Sequence, residues 1–270
     1  LQVANMPGLF LAGQINGTTG YEEAAGQGLL AGVNAVLSQR GEQFILDRAD
    51  AYLGVMIDDL VSRGVTEPYR MFTSRAEYRL QLRADNADQR LTQKGIEIGL
   101  VGETRRHVFL KKIERLDTAR EALFQLTITP KEAERAGVPV NADGRRRTAF
   151  ELLGLESVGV EGVLEIWQDL QRFDRIDIEQ LSFDARYQSY IERQRQQIEE
   201  MRREENRALP PDLDYRGLSG ISMELQEKLT AARPETLGQA RRVEGMTSAA
   251  LALILSSVLA RKPGGSRRPA

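Results

Sequence analysis

The run from Pro7 to Leu37 constrains the fold more than any other part of the chain. Leu9 to Ala12 is a short apolar stretch closed by Gly13, the pattern of a buried strand. The residues that follow are rich in Gly, Asn and Thr and predict a loop. Thr19 and Glu22 have the S/T-x-x-E spacing of a capping box, so a helix should open near Gly20. Down that helix Gly20, Ala24, Gly28 and Gly32 recur every four residues. They share one face, where a strand, a helix or a flat ligand can approach closely.

A strand, a Gly-rich turn and a helix start in succession favour negative charge, because free N–H groups and the helix dipole converge there. Such a turn could hold a phosphate, or the charge that gathers on the pyrimidine edge of a reduced flavin. A tightly packed strand-loop-helix with no ligand fits the same spacing.

Beyond a linker at Gly41 to Asp47, Asp50 to Ser62 predicts a helix with Leu53, Ile57, Leu60 and Val61 on its apolar face. Its adjacent acids, Asp58 and Asp59, point different ways and read as a solvated face. From Val65 to Arg83 the period changes. Tyr78, Leu80 and Leu82 alternate with Arg79, Gln81 and Arg83, a half-buried strand. Met71 to Arg75 is its expected partner in a hairpin-like unit. Arg70, Arg75, Arg79 and Arg83 fall within that unit. Guanidinium forks bind phosphate, and Tyr69 and Tyr78 could stack on a base. Pairing of these arginines with Glu67, Glu77 and Asp85 is the alternative.

The remainder reads as helix after helix. Asp85-Asn86 opens a short one ending near Gly95, and Glu103 to Leu126 is firmly helical, with His107 in its first turn as a surface or capping residue. Thr129-Pro130 starts another, which ends at Gly137. Arg145-Arg146-Arg147 lies in a polar loop, read as solvated rather than phosphate-binding. Thr148 to Leu153 and Gly162 to Leu170 are short helices, with Trp167 in the core. Phe183 to Arg207 is the longest signal, with a narrow seam of Tyr187, Ile191, Ile198 and Met201 and an otherwise charged, solvated surface. Ser222 to Ala232, Thr236 to Val243 and Thr247 to Leu259 form a last helical unit. A Gly turn from Arg242 to Thr247 joins its second and third helices, with a weak likeness to the helix-hairpin-helix units that grip nucleic-acid backbones and otherwise the form of an αα-hairpin.

Composition removes several chemistries. With no cysteine and only one histidine, the chain has no disulfide framework, no thiolate metal site and no His-based triad. No metal ligand set and no catalytic residue is assigned. No apolar run approaches the roughly 18 residues that span a bilayer, so no membrane role is expected and the cytoplasm is the default location. Net charge is −2, with 28% of residues charged. An RNA site on such a surface must be a local patch.

The residues from Pro7 to Leu37 resemble the MnmG (GidA) family, flavoproteins that modify the wobble uridine of tRNA. The resemblance continues through Arg48 to Gly54, Gly64 to Leu80 and Asp85 to Leu91, and returns at Thr236 to Arg241. Residues 131–180 and the tail match only loosely. The resemblance implies a C-terminal fragment of a longer flavoprotein, consistent with the absence of a GxGxxG motif. It implies FAD held in part by Gly13, Gln14, Thr18, Thr19, Gly20 and Tyr21, with a reduced nicotinamide and a folate one-carbon donor as co-substrates. It implies tRNA contacts at Arg70, Arg75, Arg79 and Arg83, a partner GTPase, MnmE, on the C-terminal helices, and a homodimer. The expected fold is mainly α, with helical C-terminal subdomains after a small α/β remnant of an FAD-binding domain. Its expected units are 1–40 (the remnant), 41–100 (a strand-containing insert), 101–211 (a helical domain), 212–262 (a helical subdomain) and 263–270 (a flexible tail). Two other readings stand beside this one: a helical protein-interaction module without RNA contacts, and the folate- and FAD-dependent tRNA methyltransferase TrmFO. The long helical region after Thr129 argues against the second.

Overall fold

Local capping chemistry accounts for several helix starts in the computed structural model. It describes residues 1–260 apart from 4, 242 and 244 and the side chains of 62 and 63. The expected tail at 263–270, and Arg242 and Glu244 of the expected αα turn, lie outside the described residues. Thr129 and Thr148 each close a capping box, with Glu132 and Glu151, and Pro130 occupies the first helical position after Thr129. The Ser222 hydroxyl accepts the Leu225 N–H at the start of a third helix.

The helices are α1 (Tyr21–Leu37), α2 (Tyr52–Arg63), α3 (Ala87–Glu97), α4 (Glu103–Gln125), α5 (Pro130–Arg135), α6 (Ala149–Leu153), α7 (Gly159–Ile166), α8 (Arg175–Glu205), α9 (Met223–Ala232), α10 (Leu237–Arg241) and α11 (Ser248–Ala260). The one sheet among the described residues is a two-residue antiparallel pair, β1 (Thr127–Ile128) with β2 (Arg147–Thr148), in the register Thr127 opposite Thr148. The fold is mainly α.

Two expected strand units do not form. Leu9 to Ala12 is not a strand: Phe10 makes a single antiparallel bridge to Gln2. A ladder needs a neighbour along its length, and the described contacts are the Leu11 N–H to the Leu1 carbonyl at 3.0 Å and the Val3 N–H to the Leu9 carbonyl at 2.9 Å. The Met71–Arg83 hairpin is also absent. A 3-10 turn at Thr73–Arg75 is followed by successive turns. The alternation of Tyr78, Leu80 and Leu82 reflects these turns, which bury Ala76 and Leu82.

Three packing units result. In the first, residues 1–100, small apolar groups form around Leu30, Leu46 and Ala51 and around Val55, Ala76 and Leu82. In the second, α4 to α8 enclose a continuous core that includes Leu116, Leu123, Phe150, Leu152, Ile178 and Leu181, with Trp167 against its edge. In the third, α9 to α11 close over Leu225, Leu229, Leu237 and Ile254. Helix α8 has 31 residues and is therefore about 46 Å long. It packs in the second core, then runs beside the first unit. Arg202 reaches Asp47 at 2.6 Å and Asp50 at 2.9 Å. At its last residue, Glu205 pairs with Arg241 of the third unit at 3.3 Å.

Candidate functional site

The Gly-rich loop is locked from below by one amide. Gln27, on α1, is fully buried. Its Oε1 accepts from the Gly13 N–H at 3.0 Å and from Asn16 Nδ2 at 2.8 Å. Its Nε2 donates to Thr18 Oγ1 at 2.9 Å, and that hydroxyl donates on to the Gly13 carbonyl at 3.0 Å. Gly13 and Gly17 hold φ of 85° and 81°, a conformation that glycine adopts without strain. A Cβ at Gly17 would also stand 2.5 Å from a Val65 methyl. The Gly17 carbonyl accepts the Tyr69 N–H at 2.8 Å, which ties the loop to the segment beyond α2. Neither Gln27 nor Asn16 is flagged by motif spacing. The available signal was one amide side chain inside a run of Ala, Gly and Leu.

The six expected cofactor residues therefore divide. Gly13, Thr18 and Gly20 are buried scaffold, and the Gly13 N–H and the Thr18 hydroxyl are already bonded within the loop. Gln14, Thr19 and Tyr21 form the exposed rim, Tyr21 being 92% exposed. The expected Thr19–Glu22 capping box is not made. Gly20 is the N-cap, in extended conformation and without a side-chain cap. Glu23 folds back over it instead: a Cβ on Gly20 would fall 1.5 Å from Glu23 Oε2. Glu23 Oε1 accepts the Met71 N–H at 3.0 Å and faces Arg70 Nε at 3.5 Å. The Met71 N–H holds the Glu23 carboxyl below its ordinary value, with Arg70 contributing. Further down α1, the space next to Gly28 and Gly32 is open, and Leu29 and Val36 are exposed beside them.

The four expected tRNA arginines divide as well, because the 65–83 segment is folded around Arg48. That buried guanidinium donates to Asp59 at 2.7 Å, Asp58 at 3.1 Å, Glu77 at 2.8 Å, and the carbonyls of Val55 and Arg75 at 3.3 and 3.0 Å. Asp59 also accepts from the Tyr69 hydroxyl at 2.9 Å. Burial, then this hydrogen bond to the carboxylate, pushes the Tyr69 phenol well up. The acids are thus not a solvated pair: Asp59 is buried and both bind Arg48. Arg75 stacks over the Tyr69 ring at 4.6 Å and donates to the Arg70 carbonyl at 2.8 Å. Arg83 is nearly buried, in ion pairs with Asp85 at 3.0 Å and with Asp184 of α8 at 2.6 Å. Arg70 is half exposed, beside Glu23. Arg79 is exposed and has no ion pair among the described residues. Arg70 and Arg79 are the two that face solvent with donors to spare.

The remaining candidates settle into structural roles or the surface. Arg145 pairs with Glu151, Arg146 with Thr127, and Arg147 with Asp143. His107 is exposed. Among the described residues no group of three or more His, Cys, Asp or Glu could hold a metal, and no helix is long and apolar enough to cross a membrane.

These features define a mainly helical protein built from a Gly-rich loop unit and two helical units. Family models match in the same order. Residues 1–43 match "glucose inhibited division protein A". Residues 103–195 match the "tRNA modifying enzyme MnmG/GidA C-terminal helical domain", and 197–268 its "C-terminal helical bundle". The chain belongs to the MnmG/GidA family. It is 45% identical over 255 residues to the tRNA uridine 5-carboxymethylaminomethyl modification enzyme MnmG of Granulibacter bethesdensis, covering 94% of this chain and 40% of that protein. It is 44% identical to the enzyme of the same name from Pelobacter propionicus, covering 99% and 43%. Aquifex aeolicus GidA, in its form II crystal, superposes with a TM-score of 0.77 at 38% identity, covering 96% of this chain and 41% of that one. The chain thus spans about two-fifths of the length of these relatives.

Proposed function

We propose that this chain is the tRNA- and partner-docking part of an FAD-dependent enzyme that installs an aminomethyl-type group at C5 of the wobble uridine. The observation that carries this reading is 44–45% identity, across nearly the whole chain, to enzymes named for that modification. In this reading the whole protein uses FAD, a reduced nicotinamide and a folate one-carbon donor, works in the cytoplasm with the GTPase MnmE, and forms a homodimer.

The residues present fit one edge of a flavin. The first turn of α1 has no side-chain cap, and Gln14, Thr19 and Tyr21 stand exposed beside it. Bound FAD would supply the electron-transfer chemistry. The chain's own part is to hold the loop rigid through Gln27, to offer donors from the rim, and to leave room at Gly20 for the Glu23 carboxylate that packs against the helix start. In the whole protein, Gly20→Trp should abolish flavin retention, read from the visible absorbance of the purified protein. Normal flavin content would remove the assignment.

The tRNA reading rests on Arg70 and Arg79. Anisotropy of labelled tRNA should show salt-sensitive binding that weakens in Arg70→Ala/Arg79→Ala. Binding that ignores both changes would move RNA recognition elsewhere. The partner reading rests on α9 to α11, where Leu253 and Leu259 are exposed on a compact apolar unit. Deleting residues 212–261 should abolish co-purification with the GTPase, and undiminished co-purification would refute it.

A further inference from the structure

The outer face of α8 carries a stripe with no role in the packing just described. Ile176, Phe183 and Tyr190 recur there every seven residues and are 71%, 41% and 54% exposed. Arg186, Arg193 and Gln197 are exposed as well. The inward side of α8 is marked by Ile178, Leu181 and Ser182. At about 100° per residue, positions 183, 186, 190, 193 and 197 fall within about a quarter-turn of one another. Between Phe183 and Arg193 the acids point elsewhere or are occupied. Asp184 binds Arg83 and Arg120, and Glu179 holds Arg175 at 2.9 Å. By the same wheel, Glu192 and Glu199 lie on the far side. Arg186 and Arg193 have no ion pair among the described residues.

We propose that this stripe, from Phe183 to Arg193, docks an unpaired segment of tRNA. The proposal rests on the tRNA reading above and adds a second contact surface to it. Unpaired bases expose flat faces that stack on aromatic rings, and their phosphates pair with guanidinium forks. Here two unpaired guanidiniums sit two helical turns apart, with Tyr190 between them and Phe183 one turn before. A helical protein partner suits the stripe less well. A heptad seam needs apolar residues at both of its positions. The second position here is Glu179, Arg186, Arg193 and Glu200 in turn.

The test is anisotropy of a labelled tRNA against the full chain at about 50 and 200 mM salt, since each lost phosphate contact flattens the salt dependence. Arg186→Glu/Arg193→Glu should weaken binding at least about ten-fold and lower the log–log salt slope by roughly one to two. Tyr190→Ser should weaken it about five-fold or more, whereas Tyr190→Phe, which keeps the ring, should bind as wild type. All three side chains are exposed, so circular dichroism and Tm should not move. Undiminished tRNA affinity in the α8 variants, with loss in Arg70→Ala/Arg79→Ala, overturns the stripe and leaves the tRNA reading intact. No binding by the wild-type chain at the lower salt removes both. Self-association that disappears in the charge-reversed variant while tRNA affinity persists would make the stripe a contact between copies of the chain, and would also overturn the proposal.

Discussion

In residues 103–260, buried apolar side chains touch one another in two continuous clusters; one of them joins fourteen buried residues from Leu116 to Leu181. In residues 1–100 the corresponding clusters hold three each, and polar groups are buried among them: Gln27 under the loop, Arg48 and Asp59 under the 65–83 segment. The contrast is physical. Apolar burial is non-directional and tolerates repacking. A buried amide or guanidinium must find each partner at the right place, so it fixes one backbone path and fails sharply when a partner is lost. The half of the molecule with the candidate loop is the half that is positioned by hydrogen bonds.

The strongest way to break this contrast is Arg48→Ala. It removes the guanidinium nearest the buried Asp59 carboxylate, at 2.7 Å, and should cost about 3–5 kcal/mol in urea unfolding. A loss under 1 kcal/mol would mean that water replaces the guanidinium. Next is Leu181→Ala in the second core, expected to cost about 2–5 kcal/mol. Its effect should appear in α4–α8 amide exchange and leave the loop amides protected. Gln27→Leu keeps the volume but removes the acceptor of the Gly13 N–H and the donor to the Thr18 hydroxyl, for roughly 1–3 kcal/mol. The Gly13 amide should then exchange at the rate of an open loop.

A gentler probe is acid. Glu23 is held low chiefly by the Met71 N–H. Asp47 and Asp85, which burial alone would raise, are held low by Arg202 and Arg83. A carboxyl whose folded-state value is depressed adds stability that is complete above its unfolded value, about 4, and is lost as pH falls through the folded value. As pH falls below about 4, exchange protection should therefore fail around Met71 and Asp85 before it fails around Leu152. Simultaneous loss would erase the distinction between the two regions. At the bottom of the scale, Arg175→Ala removes only exposed pairs with Glu161 and Glu179, and should leave the unfolding midpoint unchanged.

The sequence was legible where local rules decide. Thr129-Pro130 and Ser222 start helices where their capping chemistry puts them, and α4 and α11 follow their apolar periodicity. It misled where a distant partner decides. Thr19 and Glu22 have the right spacing for a capping box, but Met71, far along the chain, takes Glu23 instead. The alternation at residues 78–83 reads as a strand because the pattern cannot show that Arg48 recruits Glu77 and the Arg75 carbonyl into a knot of turns. Likewise Arg83 has the look of a phosphate ligand until Asp184, a hundred and one positions on, closes over it. Helix α8 opens eight residues before the expected Phe183, because Ile178 and Leu181 pack in the second core.

Helix α8 also acts as a mechanical part. A rod anchored at one end in the second core, and tied near the other to both neighbouring units, transmits torque as well as position. A pull on the C-terminal bundle must either turn the whole rod or open its clips, the Arg202 pairs with Asp47 and Asp50 and the Arg241 pair with Glu205. These clips are partly exposed and are weakened by salt, whereas the buried anchor is not. Raised ionic strength should therefore loosen these clips first and leave the bundle held by the backbone bridge between Ala208 and Thr236.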